Sequence, residues 1–135
     1  MAQEHLFLAT DLGTSAVKVG AFNSEGSLAA RAAACYETRS PRSRWAEQDP
    51  EAWWCATRQA IRDVAAQLDS SRVRGISVAA LTPSLVCVNA DGKSVCPAPI
   101  WSDWRAEAEW TELTRKLGYE TRFTPLPRLL WMRHH

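Results

Sequence analysis

Long apolar runs are missing from this sequence. The longest uninterrupted ones, such as Val78 to Leu81, fall far below the roughly 20 residues a membrane-crossing helix requires. An excess of one charge is missing as well. Sixteen Lys and Arg against 15 Asp and Glu leave a formal charge of +1, and the basic residues are scattered instead of forming a stripe that could follow a phosphate backbone. Neither a membrane nor a nucleic acid is therefore an expected partner. Met1 to His5 carries an acid early and lacks the basic-then-apolar pattern of a secretory leader, so a cytoplasmic protein is expected. Cysteines in C-x-x-C spacing are absent too. Cys35, Cys55, Cys87 and Cys96 each stand among apolar neighbours, which predicts buried, reduced thiols acting as small hydrophobes instead of metal ligands or disulfides. There is no internal repeat and no low-complexity tract. At 135 residues the chain is long enough for one domain with a real core and short for a two-domain enzyme.

Turn chemistry and clear periodicity are present. β-branched and small apolar residues predict a strand over His5 to Thr10 and another over Ala16 to Asn23, with Asn23-Ser-Glu-Gly26 closing a hairpin. Leu28 to Thr38 reads as a third strand from its hairpin context, although Ala29 to Ala34 would suit a helix equally well. Arg39 to Gln48 is polar, broken by Pro41, and reads as a loop. Asp49-Pro50-Glu51 is a helix start, with an acceptor at the cap, proline at the first position and an acid at the positive dipole end. Trp53, Ala56, Ala60, Ile61, Val64 and Leu68 then recur at helical spacing, predicting a helix to about Leu68 with one buried stripe, anchored by Trp53 and Trp54. Strands are expected over Arg74 to Ala80 and Leu85 to Asn89, the latter ending in the turn Asn89-Ala-Asp-Gly92. A proline-punctuated extended passage, Lys93 to Ile100, leads to a helix from about Trp104 that stops at Gly118. Most of the seven tryptophans fall where they would pack inward. Together these elements predict an α/β layered fold.

The candidate chemistry begins at the first hairpin tip, Asp11-Leu-Gly-Thr-Ser15. A carboxylate at a strand end, followed by glycine and hydroxyl residues in a tight turn, suits a nucleotide triphosphate. Asp11 can hold magnesium through water, and the amides around Gly13, Thr14 and Ser15 can face phosphate oxygens. The competing reading is a turn with a solvated aspartate. This is not the P-loop pattern, which needs G-x-x-x-x-G-K-[ST] before a helix. His134 and His135 are weak evidence for metal and are assigned none.

Three ordered segments, "DLGTSAVKVGAFNSEG", "RWAEQDPEAWW" and "PIWSDWRA", resemble the N-terminal domain of the FGGY carbohydrate kinases. "FTPLPRLLWM" near the end is similar to a further family segment, with one residue inserted. The resemblance implies a ribonuclease-H-like (actin-like ATPase) domain, a mixed sheet with flanking helices, covering residues 1–135 incompletely. The complete kinase would add a second actin-like domain and transfer the γ-phosphoryl group of ATP, with Mg2+, to a sugar hydroxyl. Carried over by position, Asp11 resembles the metal-organising aspartate, and Gly13, Thr14 and Ser15 the phosphate-facing turn. Trp101, Asp103 and Arg105 resemble the sugar-side segment, an indole face over the sugar with a carboxylate and guanidinium on its hydroxyls. Asp103 also stands where a helix N-cap belongs, and the two roles are compatible. Glu47-Gln48-Asp49-Pro50 is a recognisable family string whose physics is mainly architectural. Lys18, in the second strand, either faces the site or is solvated.

The sequence also departs from the family. The loop after the fourth strand usually carries Gly-Gln, and here it holds Ala80-Leu81, followed by Thr82, Pro83 and Ser84, which fit a family variant and leave Thr82 and Ser84 as sugar-side candidates. The resemblance places the catalytic base and the adenosine-binding part downstream of these residues. The expectation is a piece of a pentulose or polyol kinase, inactive alone and completed by a missing C-terminal domain or a second chain. The alternative is a non-catalytic sugar- or phosphate-binding remnant, and an exposed sheet edge would favour self-association.

Overall fold

The computed structural model describes residues 4–135; the leader argument rests partly on Met1 to Gln3, which lie outside them. The chain divides into two compact units, one running to Tyr36 and resuming over Glu51–Ala80, the other made of Glu37–Pro50 and Leu81–His135.

The first unit is a four-stranded mixed sheet with one helix. Strands β1 (Leu6–Leu12), β2 (Ala16–Asn23) and β3 (Leu28–Cys35) form an antiparallel meander, and β5 (Val73–Ala80) pairs with β1 in parallel, giving the order β3-β2-β1-β5. Period-two alternation sends Leu6, Leu8 and Thr10 inward and Phe7, Ala9 and Asp11 outward. On β2 the inward set is Val17, Val19 and Ala21. Helix α1 (Pro50–Ala65) lays Ala56, Ala60 and Val64 against them, completing one buried apolar cluster. Ile61 and Leu68 pack on the margin of this core, as the helical spacing predicts. On β5, Ile76 and Val78 share the α1 face with Leu8 and Thr10 yet stay exposed, so α1 covers only part of that face.

The second unit holds β4 (Glu47–Gln48) paired antiparallel with β6 (Ala98–Pro99), followed by α2 (Glu107–Leu117) and α3 (Leu126–His134). Ala98, Pro99 and Ile100 are fully buried, and buried Gln48 donates from Nε2 to Thr38 Oγ1 at 2.6 Å. Helix α2 ends where expected: Gly118 takes φ 75°, and its amide donates to Thr114 O at 3.0 Å.

Several expectations are corrected. The third strand ends at Cys35 instead of Thr38, its pairing with the β2 side closing on a last bond from the Tyr36 amide to Ser15 O at 3.0 Å. The polar loop over Arg39 to Gln48 contains the bridge Arg39↔Glu47 and strand β4. Leu85 to Asn89 forms no strand; Leu85 N is drawn to Pro99 O, leaving only the bridge Val88↔Ser94 above the turn at Asn89. Helix α1 ends at Ala65 instead of Leu68, and Trp54 faces outward. Cys35 and Cys55 are exposed and Cys87 and Cys96 half-buried, so none is a core thiol, although all four are free. Helix α3 opens with Pro125 before it and Pro127 in its first turn, where a missing amide costs little. No helix among the described residues is long and apolar enough to cross a membrane.

Candidate functional site

The turn between β1 and β2 is built by backbone bonds and one side chain. Gly13 N donates to Ala16 O at 3.0 Å, closing the tip on which Thr14 and Ser15 are exposed. A Cβ at Gly13 would lie 3.3 Å from Ala16 O, a tight contact with the backbone that disfavours a larger residue in the turn before any ligand is considered. Tyr36 then latches the turn, its hydroxyl donating to Gly13 O at 2.6 Å. Burial, and secondarily the charge of Asp11, raise the Tyr36 pKa above the ordinary phenol value. Its donor form is thus favoured by folding. The resulting stability is full below the ordinary phenol pKa and is lost as pH rises through the folded value. Tyr36→Phe is expected to cost about 1 kcal/mol in urea unfolding at neutral pH, the usual net worth of one such bond, and to flatten stability on the alkaline side.

Asp11 sits at the end of β1 on the face opposite the core, paired in register with Lys18 and Ala79. Its carboxylate lines an open groove of about 590 Å3, walled by Ala9, Lys18, Gly20, Ala33 and Ser77. No hydrogen bond or ion pair among the described residues engages that carboxylate. Lys18 lines the same groove, so it faces the candidate site.

The Trp101 segment, in the second unit, is organised oppositely. Asp103 has a side chain 0% exposed and accepts four hydrogen bonds, from Ala46 N (2.6 Å), Arg105 N (2.9 Å), Arg105 Nε (2.9 Å) and Arg105 Nη2 (2.8 Å). That is the acceptor capacity of a carboxylate. Arg105, with its side chain 4% exposed, also donates to Glu47 Oε2 at 2.6 Å and lies 3.8 Å from the Trp45 ring centroid and 5.2 Å from that of Trp131. Burial alone would lower the Arg105 pKa; its bonds to Asp103 and Glu47 outweigh this and raise it, so the guanidinium stays charged. The helix-cap expectation for Asp103 is corrected: α2 is capped at Ala106 without a side-chain bond.

Trp101 is 42% exposed, its carbonyl held by Arg128 Nη2 at 3.1 Å. Arg128 is itself buried, which lowers its pKa, with Asp103 opposing that shift. In the preceding loop Thr82 is exposed, and the Ser84 hydroxyl donates to Leu81 O at 3.2 Å. Asp11, Gly13, Thr14 and Ser15 thus gather in the first unit, and Thr82, Ser84, Trp101, Asp103 and Arg105 belong to the second. Sequence reasoning missed the Tyr36 latch and the Trp45, Trp131 and Arg128 contacts, none of which leaves a local signal. Among the described residues no group of three or more His, Cys, Asp and Glu side chains is arranged to hold a metal.

Comparison with known proteins gives a consistent result. Residues 6–135 match the family described as "FGGY family of carbohydrate kinases, N-terminal domain". A xylulose kinase of Escherichia coli (strain K12) is 30% identical over 138 residues, covering 96% of this chain and 28% of the relative. One from Staphylococcus xylosus is 29% identical over 136 residues, covering 93% and 28%. The crystal structure of a "xyloylose kinase" from Brucella ovis superposes with a TM-score of 0.89 at 27% identity, over 97% of this chain and 30% of that one. The chain therefore spans less than a third of the length of these relatives.

Proposed function

This chain belongs to the FGGY family of carbohydrate kinases through its N-terminal domain, and from that premise we propose that it supplies one side of an ATP-dependent sugar kinase. Its fold is the ribonuclease-H-like, actin-like α/β architecture of those kinases, held here in part. The observation carrying the reading is the contrast between its two candidate carboxylates. Asp103 has every acceptor position engaged, whereas Asp11 stands unengaged on an open groove beside a glycine turn. An exposed carboxylate with its acceptor capacity intact fits a hydrated Mg2+, a hard cation that keeps most of its water.

In this reading Asp11 orients the magnesium that accompanies ATP. The ion, when bound, neutralises charge on the phosphates. Gly13, whose own amide closes the turn on Ala16 O, presents the Thr14–Ser15 tip towards phosphate oxygens, and Lys18, on the neighbouring groove, adds a positive charge beside them. On the sugar side Trp101 offers its indole face, with Thr82 and Ser84 supplying hydroxyls. Asp103 and Arg105 act as positioning residues that hold the Trp101 segment rigid. The sugar is of the pentulose or polyol class, the setting cytoplasmic, and the base and adenosine site come from a C-terminal domain or a second chain. Positioning and electrostatics do nearly all the work of phosphoryl transfer, so one side alone does little.

A coupled kinase assay tests this. The 135-residue chain with MgATP and a panel of pentuloses and polyols is expected to show no turnover. A chimera in which it replaces the matching N-terminal portion of the Escherichia coli xylulose kinase is expected to phosphorylate at least one of them. A folded chimera without turnover would overturn the kinase reading, and turnover by the chain alone would overturn its incompleteness. A melting-temperature rise with sugar, coupled to an inactive chimera, would instead favour the binding-remnant alternative.

A further inference from the structure

Cys87 and Cys96 meet at a place that the kinase reading does not use. The amide of Val95 donates to Cys87 O at 3.0 Å, and Val88 bridges Ser94. The two arms of this irregular hairpin thus run side by side and bring both cysteines to one open cavity of about 480 Å3 in the second unit. Helix α3 closes the cavity with Trp131 and Met132. Cys87 Sγ lies 3.3 Å from Met132 Sδ, and Cys96 lines the same cavity beside them. Three sulfur atoms from two separate stretches of chain therefore converge, all half-buried, at the edge of a space large enough to admit an ion.

We propose that Cys87, Cys96 and Met132 form a binding site for a soft monovalent metal ion, copper(I). Thiolate and thioether sulfur select copper(I) among biological cations, whereas Mg2+ and Ca2+ take oxygen donors. Three soft donors also suit the low coordination number of this ion better than the four-ligand shell of structural zinc. Binding forms two thiolate–copper bonds and one thioether–copper bond and releases the two thiol protons to solvent, with no change in oxidation state. Because both thiols must give up their protons on binding, affinity increases as pH rises. Arg105 and Glu47, paired with each other at 2.6 Å, also line the cavity. His135 lines the same cavity, its ring stacked on Trp131 at 4.5 Å and its Nδ1 3.0 Å from Trp131 O; the proposed donor set is the three sulfurs. A bound ion would tie the 87–96 hairpin to α3.

The test is anaerobic titration of the 135-residue chain with copper(I) supplied as its acetonitrile complex, against bicinchoninate as competitor, with stoichiometry from native mass spectrometry. One ion per chain is expected. Cys87→Ser and Cys96→Ser should each weaken binding by at least about 100-fold, since losing a ligand costs no less than losing one of the outer hydrogen-bond partners that orient it. Met132→Leu, of similar volume, should cause a smaller loss, and a Cys35→Ser/Cys55→Ser double variant none. Unchanged affinity in both single cysteine variants would overturn the site. Alkylation of the wild-type chain removes any dependence on variant folding: copper(I) should protect Cys87 and Cys96 from iodoacetamide while Cys35 and Cys55 react. Equal labelling of all four with and without the ion would overturn it independently.

Discussion

Replacing Asp103 with alanine is expected to destabilise the second unit by about 3–5 kcal/mol, the penalty for removing one partner of a buried ion pair and stranding the other. The side chain is fully buried, and its removal leaves the Ala46 amide and three Arg105 N–H groups without their acceptor. Glu47 remains to Arg105, but through a single bond at 2.6 Å from a partly exposed carboxylate. The guanidinium, packed against Trp45 and Trp131, has no easy route to water. Asp103→Asn should recover little, since an amide NH2 would point at Arg105 donors. Trp101→Ala offers the contrast: with 42% of the residue exposed, its loss should cost about 1 kcal/mol or less. Urea unfolding followed by tryptophan fluorescence measures both. If Asp103→Ala cost less than Trp101→Ala, the positioning role would be wrong and direct sugar contact by Asp103 would return.

This network also marks where the sequence stops being legible. The first hairpin, its turn at Gly26, helix α1 with its buried Ala56, Ala60 and Val64, and the stop at Gly118 were all readable, because each is specified by residues within a few positions of one another. Asp103 was not. Its local context supports both a helix cap and a ligand contact, and its decisive partner, the Ala46 amide, lies 57 residues away. Arg105 is held between Trp45 and Trp131, two indoles drawn from opposite ends of the second unit, a pairing no spacing rule encodes. The cysteines fail similarly. Apolar neighbours in sequence suggested burial, yet Cys35 ends a strand on its outward face and Cys55 lies on the outer side of α1. The motif residues themselves were legible as a set, while their division into engaged and unengaged groups depends on packing.

That division gives the second large effect. In the active chimera, Asp11→Asn is expected to lower kcat by about 100- to 1,000-fold, the range seen when one preorganised electrostatic contact to the reacting group is removed. Asparagine keeps the shape and the solvent-facing position at the end of β1 but removes the negative charge that would attract a hydrated cation. Stability should hardly change, because the carboxylate makes no hydrogen bond or ion pair among the described residues. The sugar KM should also hold, since the proposed sugar contacts sit on Trp101, Thr82 and Ser84. The loss should appear in kcat, with a higher Mg2+ concentration needed for half-maximal rate. This pattern separates the metal role from a structural one: a merely structural Asp11 would shift the unfolding midpoint and leave the Mg2+ dependence alone. A variant with full activity and unaltered Mg2+ dependence would show that the groove beside the Gly13 turn takes no part in the chemistry.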